Sequence, residues 1–195
     1  MGYRVTLFGH SYVGDLSRYG ITEISVNNID FCLDFIFVPG ATFSTFINNP
    51  WYFDQLRVRS PDFVIVILGG NDIKINTALA KNYEDCTKFY NILRERFPSV
   101  VIIAAQIENR FYLEGNRFGC PPAEKFDYLR RHFNRFLKNK DFKDCLLQVQ
   151  GPGRLDNSEN YRDRVHLNSV GIKKYFEIIE NCLAYAYTKK FVNKL

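Results

Sequence analysis

Histidine, methionine and tryptophan are scarce in these 195 residues, with three, one and one copies. The three histidines, His10, His132 and His166, are scattered and lack the close ligand spacing of a zinc site. No stretch approaches the roughly 18–20 consecutive apolar residues of a membrane-spanning helix. The apolar run that opens the chain is stopped by Gly9 and His10, too soon for the core of a signal peptide. The five cysteines (Cys32, Cys86, Cys120, Cys145 and Cys182) are an odd number with no C-x-x-C pair. That pattern argues against a disulfide framework and suits reduced, partly buried thiols, so a cytoplasmic location is expected. Neither GxxxxGK[ST] nor GxGxxG occurs, which argues against a flavodoxin-like nucleotide binder.

Aromatic residues are abundant, with 18 Phe and 12 Tyr, and hydrophobic residues make up 46% of the chain. This is enough to build a sizeable core without metal or disulfide support, and the length fits one domain over residues 1–195. The net charge of +5 is uneven. Residues 1–109 carry 9 basic and 11 acidic side chains, and residues 110–195 carry 17 and 10. A basic C-terminal half suits weak contact with nucleic acid or an anionic membrane, although solvated helix faces account for it equally well.

Five short β-branched runs stand out: Arg4–Phe8, Cys32–Val38, Phe63–Leu68, Val100–Ala105 and Cys145–Val149. Nearly continuous apolar runs of this length fit strands covered on both faces, as in a parallel sheet. Helical patterns lie between them. Tyr83–Phe97 repeats apolar residues at Cys86, Phe89, Tyr90 and Leu93 before Pro98. Ala123–Leu137 aligns Phe126, Leu129, Phe133 and Phe136, and Ser169–Tyr187 starts at Ser169 as an expected N-cap. Strands alternating with helices predict a doubly wound α/β fold around a five-stranded parallel sheet. Ligands in such folds bind beyond the carboxyl ends of the strands, so the loops Glu108–Pro122 and Gln150–Arg162 are candidate site walls.

Four segments at those ends carry polar chemistry. Gly9-His10-Ser11 follows the first strand and places a hydroxyl at a strand-to-helix turn, although Ser11 could equally be an N-cap. Val13 stands where G-x-S-x-G requires a second glycine, so this is not an ordinary α/β-hydrolase elbow. Pro39-Gly40-Ala41-Thr42 follows the second strand, and Gly40 lets a backbone N–H approach a ligand. Gly69-Gly70-Asn71-Asp72 follows the third, with Asn71 as a neutral N–H donor or an Asx cap. Asp163-Arg164-Val165-His166 precedes the last helix and spaces a carboxylate to hold an imidazole.

Taken in order, these four blocks resemble those of the SGNH, or GDSL-type, hydrolases, and they cover the chain from residue 5 to about 175. The resemblance implies a three-layer, flavodoxin-like α/β sandwich and a serine esterase needing no metal or organic cofactor. It implies Ser11 as nucleophile, His166 as general base and Asp163 as its partner. It also implies an oxyanion hole formed by the N–H groups of Ser11 and Gly40 and the side chain of Asn71. One position departs from the pattern: the Asp that ordinarily precedes the serine is His10 here. The GHS variant, with Val165-His166-Leu167-Asn168 as fourth block, resembles the esterase domains of some LINE-type retrotransposon first-open-reading-frame proteins. His10 is a rival base, but neighbours on extended chain point opposite ways, which places it away from the Ser11 hydroxyl. The aromatic stretch Phe43–Phe53, and Tyr12, Arg110, Phe111 and Tyr112, could wall an acyl pocket or simply pack. A short acyl group such as acetyl is the expected substrate, with lipid or glycan esters as further small-molecule candidates and no obligate partner. The alternative is a catalytically weak or inactive interaction domain that binds nucleic acid or membrane through its basic half.

Overall fold

A computed structural model describes residues 2–111, 121–148, 155 and 157–192. Among these residues six strands form one sheet: β1 (Tyr3–Gly9), β2 (Glu23–Val26), β3 (Ile29–Phe37), β4 (Phe63–Ile67), β5 (Val101–Ala105) and β6 (Cys145–Leu147). The helices are α1 (Ser11–Tyr19), α2 (Phe43–Ile47), α3 (Trp51–Arg59), α4 (Leu79–Arg96), α5 (Ala123–Asn139) and α6 (Ser169–Tyr187). The sheet order is β2-β3-β1-β4-β5-β6. The five strands expected from the sequence are present and parallel to one another.

The sixth strand corrects the expected count. β2 pairs antiparallel with β3, from Glu23 opposite Cys32 to Val26 opposite Ile29. The turn between them is Asn27-Asn28, with both residues at positive φ (53° and 63°). Two left-handed residues make the hairpin turn whose twist suits paired strands, and asparagine tolerates that conformation better than most residues. The hairpin also starts β3 three residues earlier than its apolar run, at Ile29. Two other boundaries shift. α4 begins at Leu79, and α6 is capped by Asn168, whose side chain accepts from the N–H groups of Val170 and Gly171. Ser169 is therefore the first helical residue rather than the cap. Val149, expected to end the last strand, lies outside the described residues.

The sheet is covered on both faces, and side-chain alternation divides the core in two. Phe63, Ile65 and Ile67 of β4 join Val5 and Leu7 in a cluster closed by α1 and α6. Val64 and Val66 face the other way, toward Phe8 and the apolar sides of α2, α3, α4 and α5. Every residue of β4 and β5 is buried, which is why these strands read as unbroken apolar runs. Among the described residues no helix is long and apolar enough to cross a membrane.

The topology sets the place of the site. The chain leaves β1 through α1 on one face and leaves β3 through α2 and α3 on the other. The strand order therefore reverses beside β1, opening a crevice at the carboxyl ends of β3, β1 and β4.

Candidate functional site

β1 ends at Gly9, packed so closely on β4 that a Cβ there would lie 2.0 Å from the Ile67 carbonyl oxygen. The next N–H, that of His10, donates to the same carbonyl at 3.2 Å. The turn into α1 is thus pinned to the neighbouring strand, which positions Ser11 at the sheet edge. His10, not Ser11, is the N-cap of α1: its Nδ1 accepts from the Tyr12 N–H at 3.3 Å. An imidazole that accepts at Nδ1 carries its proton on Nε2. Burial pushes the His10 pKa down to about 3, with the charges of Arg110 and His166 acting the same way, so this ring is neutral near pH 7. Capping a helix end is work that an Asp does equally well, which gives the departure at this position a physical reason.

The fourth block is a small closed loop. Tyr161 and Leu167 form an antiparallel bridge, the Arg162 N–H donates to the His166 carbonyl at 2.9 Å, and Arg164 takes a left-handed conformation at φ 65°. Within the loop, Asp163 Oδ1 accepts from the N–H groups of Val165 (3.1 Å) and His166 (2.6 Å). Its Oδ2 lies 2.7 Å from His166 Nδ1, and His166 Nε2 lies 3.2 Å from the Ser11 hydroxyl. Burial alone would raise the Asp163 pKa. The His166 backbone and ring N–H groups and the Val165 N–H outweigh it and hold the carboxyl below its ordinary value. The structure therefore brings Ser11, His166 and Asp163 into one line of contacts across 155 residues of chain.

Three ties hold this loop against the sheet. The buried Tyr12 hydroxyl donates to the Val165 carbonyl. The Phe111 N–H donates to the Arg164 carbonyl at 2.9 Å. Arg162 Nη2 reaches the buried Asp15 carboxylate of α1 at 3.0 Å, a carboxylate that Arg18 also holds.

The second and third blocks interlock. Gly40 sits at φ 74°, a left-handed turn residue with open space where a side chain would be, so its backbone faces no side chain of its own. Asn71 Nδ2 donates to the Ala41 carbonyl at 3.0 Å, and Asp72 Oδ1 accepts from the Phe43 N–H at 3.1 Å. Asn71 Oδ1 accepts from Arg110 Nη2 at 2.8 Å, which fixes which way the amide points. Arg110 is buried and its guanidinium lies 5.1 Å from the Phe126 ring centroid.

Of the described residues that could wall a pocket or simply pack, most pack or anchor their neighbours. Tyr12 is a buried anchor, and Arg110 is the partner of Asn71. Phe111 packs against Tyr161 with centroids 5.2 Å apart. Phe43, Phe46 and Phe53 belong to the core, because α2 and α3 turn their aromatic side chains under the sheet. Trp51 alone of that stretch's aromatics is largely exposed. Tyr112 lies outside the described residues, as does most of the loop after β5. His132 is on α5, its ring 4.5 Å from that of Tyr128. What reading the sequence missed is the role of two named residues, Asp72 as acceptor for the Phe43 N–H and Arg110 as donor to Asn71. Asp72 adjoins the Asn71 block and could have been paired with it. Nothing in the sequence links Arg110 to Asn71, 39 residues away.

No family model matches the chain. No curated protein matches it either. Its fold does recur among solved structures. It is similar to a GDSL-like lipase from Bacteroides thetaiotaomicron, with a TM-score of 0.64 and 16% identity over 96% of this chain and 88% of that one. It is also similar to a carbohydrate esterase family 3 protein from Talaromyces cellulolyticus, with a TM-score of 0.65 and 16% identity, covering 94% and 97%. A serine-to-alanine mutant of an acetyl esterase with acetate ion has a TM-score of 0.64 and 16% identity, covering 94% and 97%. The chain thus has the three-layer α/β fold of the SGNH, or GDSL-type, hydrolases.

Proposed function

We propose that the protein is a serine esterase acting on short-acyl carboxylic esters. The observation that carries this reading is the run of contacts from the Asp163 carboxylate through the His166 ring to the Ser11 hydroxyl, with both distances within hydrogen-bond reach. In the proposed reaction His166 Nε2 takes the Ser11 proton as Oγ attacks the ester carbonyl, and it then passes that proton to the departing alcohol. Asp163 holds the Nδ1–H tautomer and offsets the charge of the imidazolium. A water molecule deprotonated by His166 next attacks the acyl-serine, releasing the acid and restoring Ser11. The oxyanion receives the N–H groups of Ser11 and Gly40 and the Asn71 amide. An amide nitrogen carries two hydrogens, so the bond from Asn71 to Ala41 leaves one for the substrate. Arg110, bound to Asn71 Oδ1, draws electron density toward that oxygen and makes the amide a better donor. The preference for acetyl follows the likeness to the acetyl esterase and the placement of the nearby phenylalanines in the core.

The test is labelling by a fluorophosphonate probe, followed by turnover of p-nitrophenyl acetate, butyrate and octanoate. Wild type should be labelled and should prefer acetate. Ser11→Ala should lose both label and turnover while remaining folded. A folded wild-type protein that neither labels nor turns over any ester would overturn the reading and leave the interaction domain suggested by the basic second half.

A further inference from the structure

A second cluster of reactive groups lies at the far edge of the sheet, in a part of the fold the esterase reading does not use. β6 is an edge strand, and the α6 helix packs against it. There the Sγ atoms of Cys145 and Cys182 are 3.6 Å apart. Both residues line a cleft of about 580 Å³ between the end of α5, β6 and α6. Its rim carries Lys138, Lys140, Lys143 and Lys189 against Asp141 and Asp144, and Asp144 is already paired with Arg94 at 3.0 Å. The cleft is therefore cationic and holds two thiols in mutual contact.

We infer that Cys145 and Cys182 form a redox-active dithiol that reacts with small anionic disulfides of the glutathione type admitted by this lysine-rimmed cleft. A disulfide bond needs the sulfurs at about 2.05 Å, so the pair closes by roughly 1.5 Å, a movement that side-chain rotation supplies. Cys145 is the attacking sulfur. The Cys182 thiol donates to it and the Lys189 ammonium stands near it, which together lower its pKa against the opposing effect of burial. The same hydrogen bond, with burial, raises Cys182. Cys145 gives up its proton and attacks one sulfur of the small disulfide, whose S–S bond breaks. One thiolate leaves and takes up a proton, and a mixed disulfide remains on Cys145. Cys182 then gives up its proton, its sulfur attacks the Cys145 sulfur, and the second small thiolate leaves and takes up that proton. The two cysteines are oxidised by two electrons, and one small disulfide is reduced to two thiols. The new bond joins β6 to α6 and closes a loop that contains Asp163 and His166.

The inference does not depend on the esterase reading, and its test does not use ester turnover. Reduced native protein is incubated with oxidised glutathione or with cystamine, a cationic disulfide, and the products are mapped by peptide mass spectrometry. The expected result is a Cys145–Cys182 link that forms at least tenfold faster with oxidised glutathione, a preference abolished in Lys143→Gln/Lys189→Gln. The linked protein should melt roughly 5 °C or more higher than the reduced form, because the closed loop restricts the unfolded chain. Cys182→Ser should instead stop at a glutathionyl adduct on Cys145. A link that forms only in denaturant, or that joins other cysteines, would overturn the dithiol. Equal rates with both reagents would overturn the role of the lysines.

Discussion

His10 and His166 both lie near Ser11, and their surroundings give them opposite chemistry. His10 is buried, uses its Nδ1 to cap α1 and is neutral. His166 is partly exposed, with one nitrogen on Asp163 and the other facing Ser11. In the proposed reaction His166 and Ser11 act as one unit, so replacing His166 with Ala is expected to lower kcat by roughly 10⁴-fold or more. His10→Asp restores a capping carboxylate and should retain most of the activity. A His10→Asp variant as inactive as His166→Ala would make His10 part of the chemistry. Asn71 presents a similar choice between turn and catalyst. Its loss as a turn residue would cost about 1 kcal/mol of stability. Loss of an oxyanion donor would instead lower kcat by about 10²–10³ with KM nearly unchanged. Asn71→Ala is expected to show the second pattern. Arg110→Ala should follow it more weakly, on the order of 10²-fold. Free guanidinium should partly restore Arg110→Ala activity, a rescue that a packing defect would not show.

At the scale of elements, the fourth-block loop is placed by three contacts from two other segments, α1 and the stretch after β5, rather than by its own sequence. Its Asx-type turn orients Asp163 internally, but the hydroxyl of Tyr12, the N–H of Phe111 and the carboxylate of Asp15 decide where the loop sits. Tyr12→Phe removes one tie with no change in shape. It should cost about 1 kcal/mol, and amide exchange at residues 163–166 should quicken while the central strands stay protected. Slowed turnover with an unchanged KM is the kinetic counterpart. If amide exchange at 163–166 is unaltered, the loop holds itself and the anchor is redundant. The β2–β3 hairpin shows the same dependence on context. Its Asn27-Asn28 turn was a readable signal, yet β2 has a single buried residue, Ile24, and becomes a strand only because β3 offers it an edge.

Two carboxyls buried beside the site contribute to how the molecule responds to pH. Burial raises Asp72 to about 7, opposed by the bond from the Phe43 N–H. Burial likewise raises Glu108 to about 7, opposed by Tyr175, Arg110 and Arg130. Groups whose folded pKa exceeds the unfolded value bind more protons when folded. Their contribution is full below about pH 4 and is lost as pH rises through about 7. His10 acts in the opposite sense, and its contribution disappears as pH falls from about 6.5 toward 3. Asp72→Asn keeps an acceptor for Phe43 and removes the charge. Relative to wild type, it should therefore gain in Tm between pH 5 and pH 8. A constant difference across that range would mean Asp72 ionises normally. The division between sequence and fold follows the range of the forces involved. Apolar runs, helix periods and the four polar blocks are local patterns, so they were legible in the sequence, as was the expected pairing of His166 with Asp163 three residues before it. The contacts from Ser11 to His166, from Asn71 to Arg110 and between Cys145 and Cys182 join residues far apart in the chain. Only the pairing of the strands and the packing of α1 and α6 on the sheet bring them together, because hydrogen bonds and thiol contacts act over a few ångströms and carry no mark in the sequence of what lies across the fold.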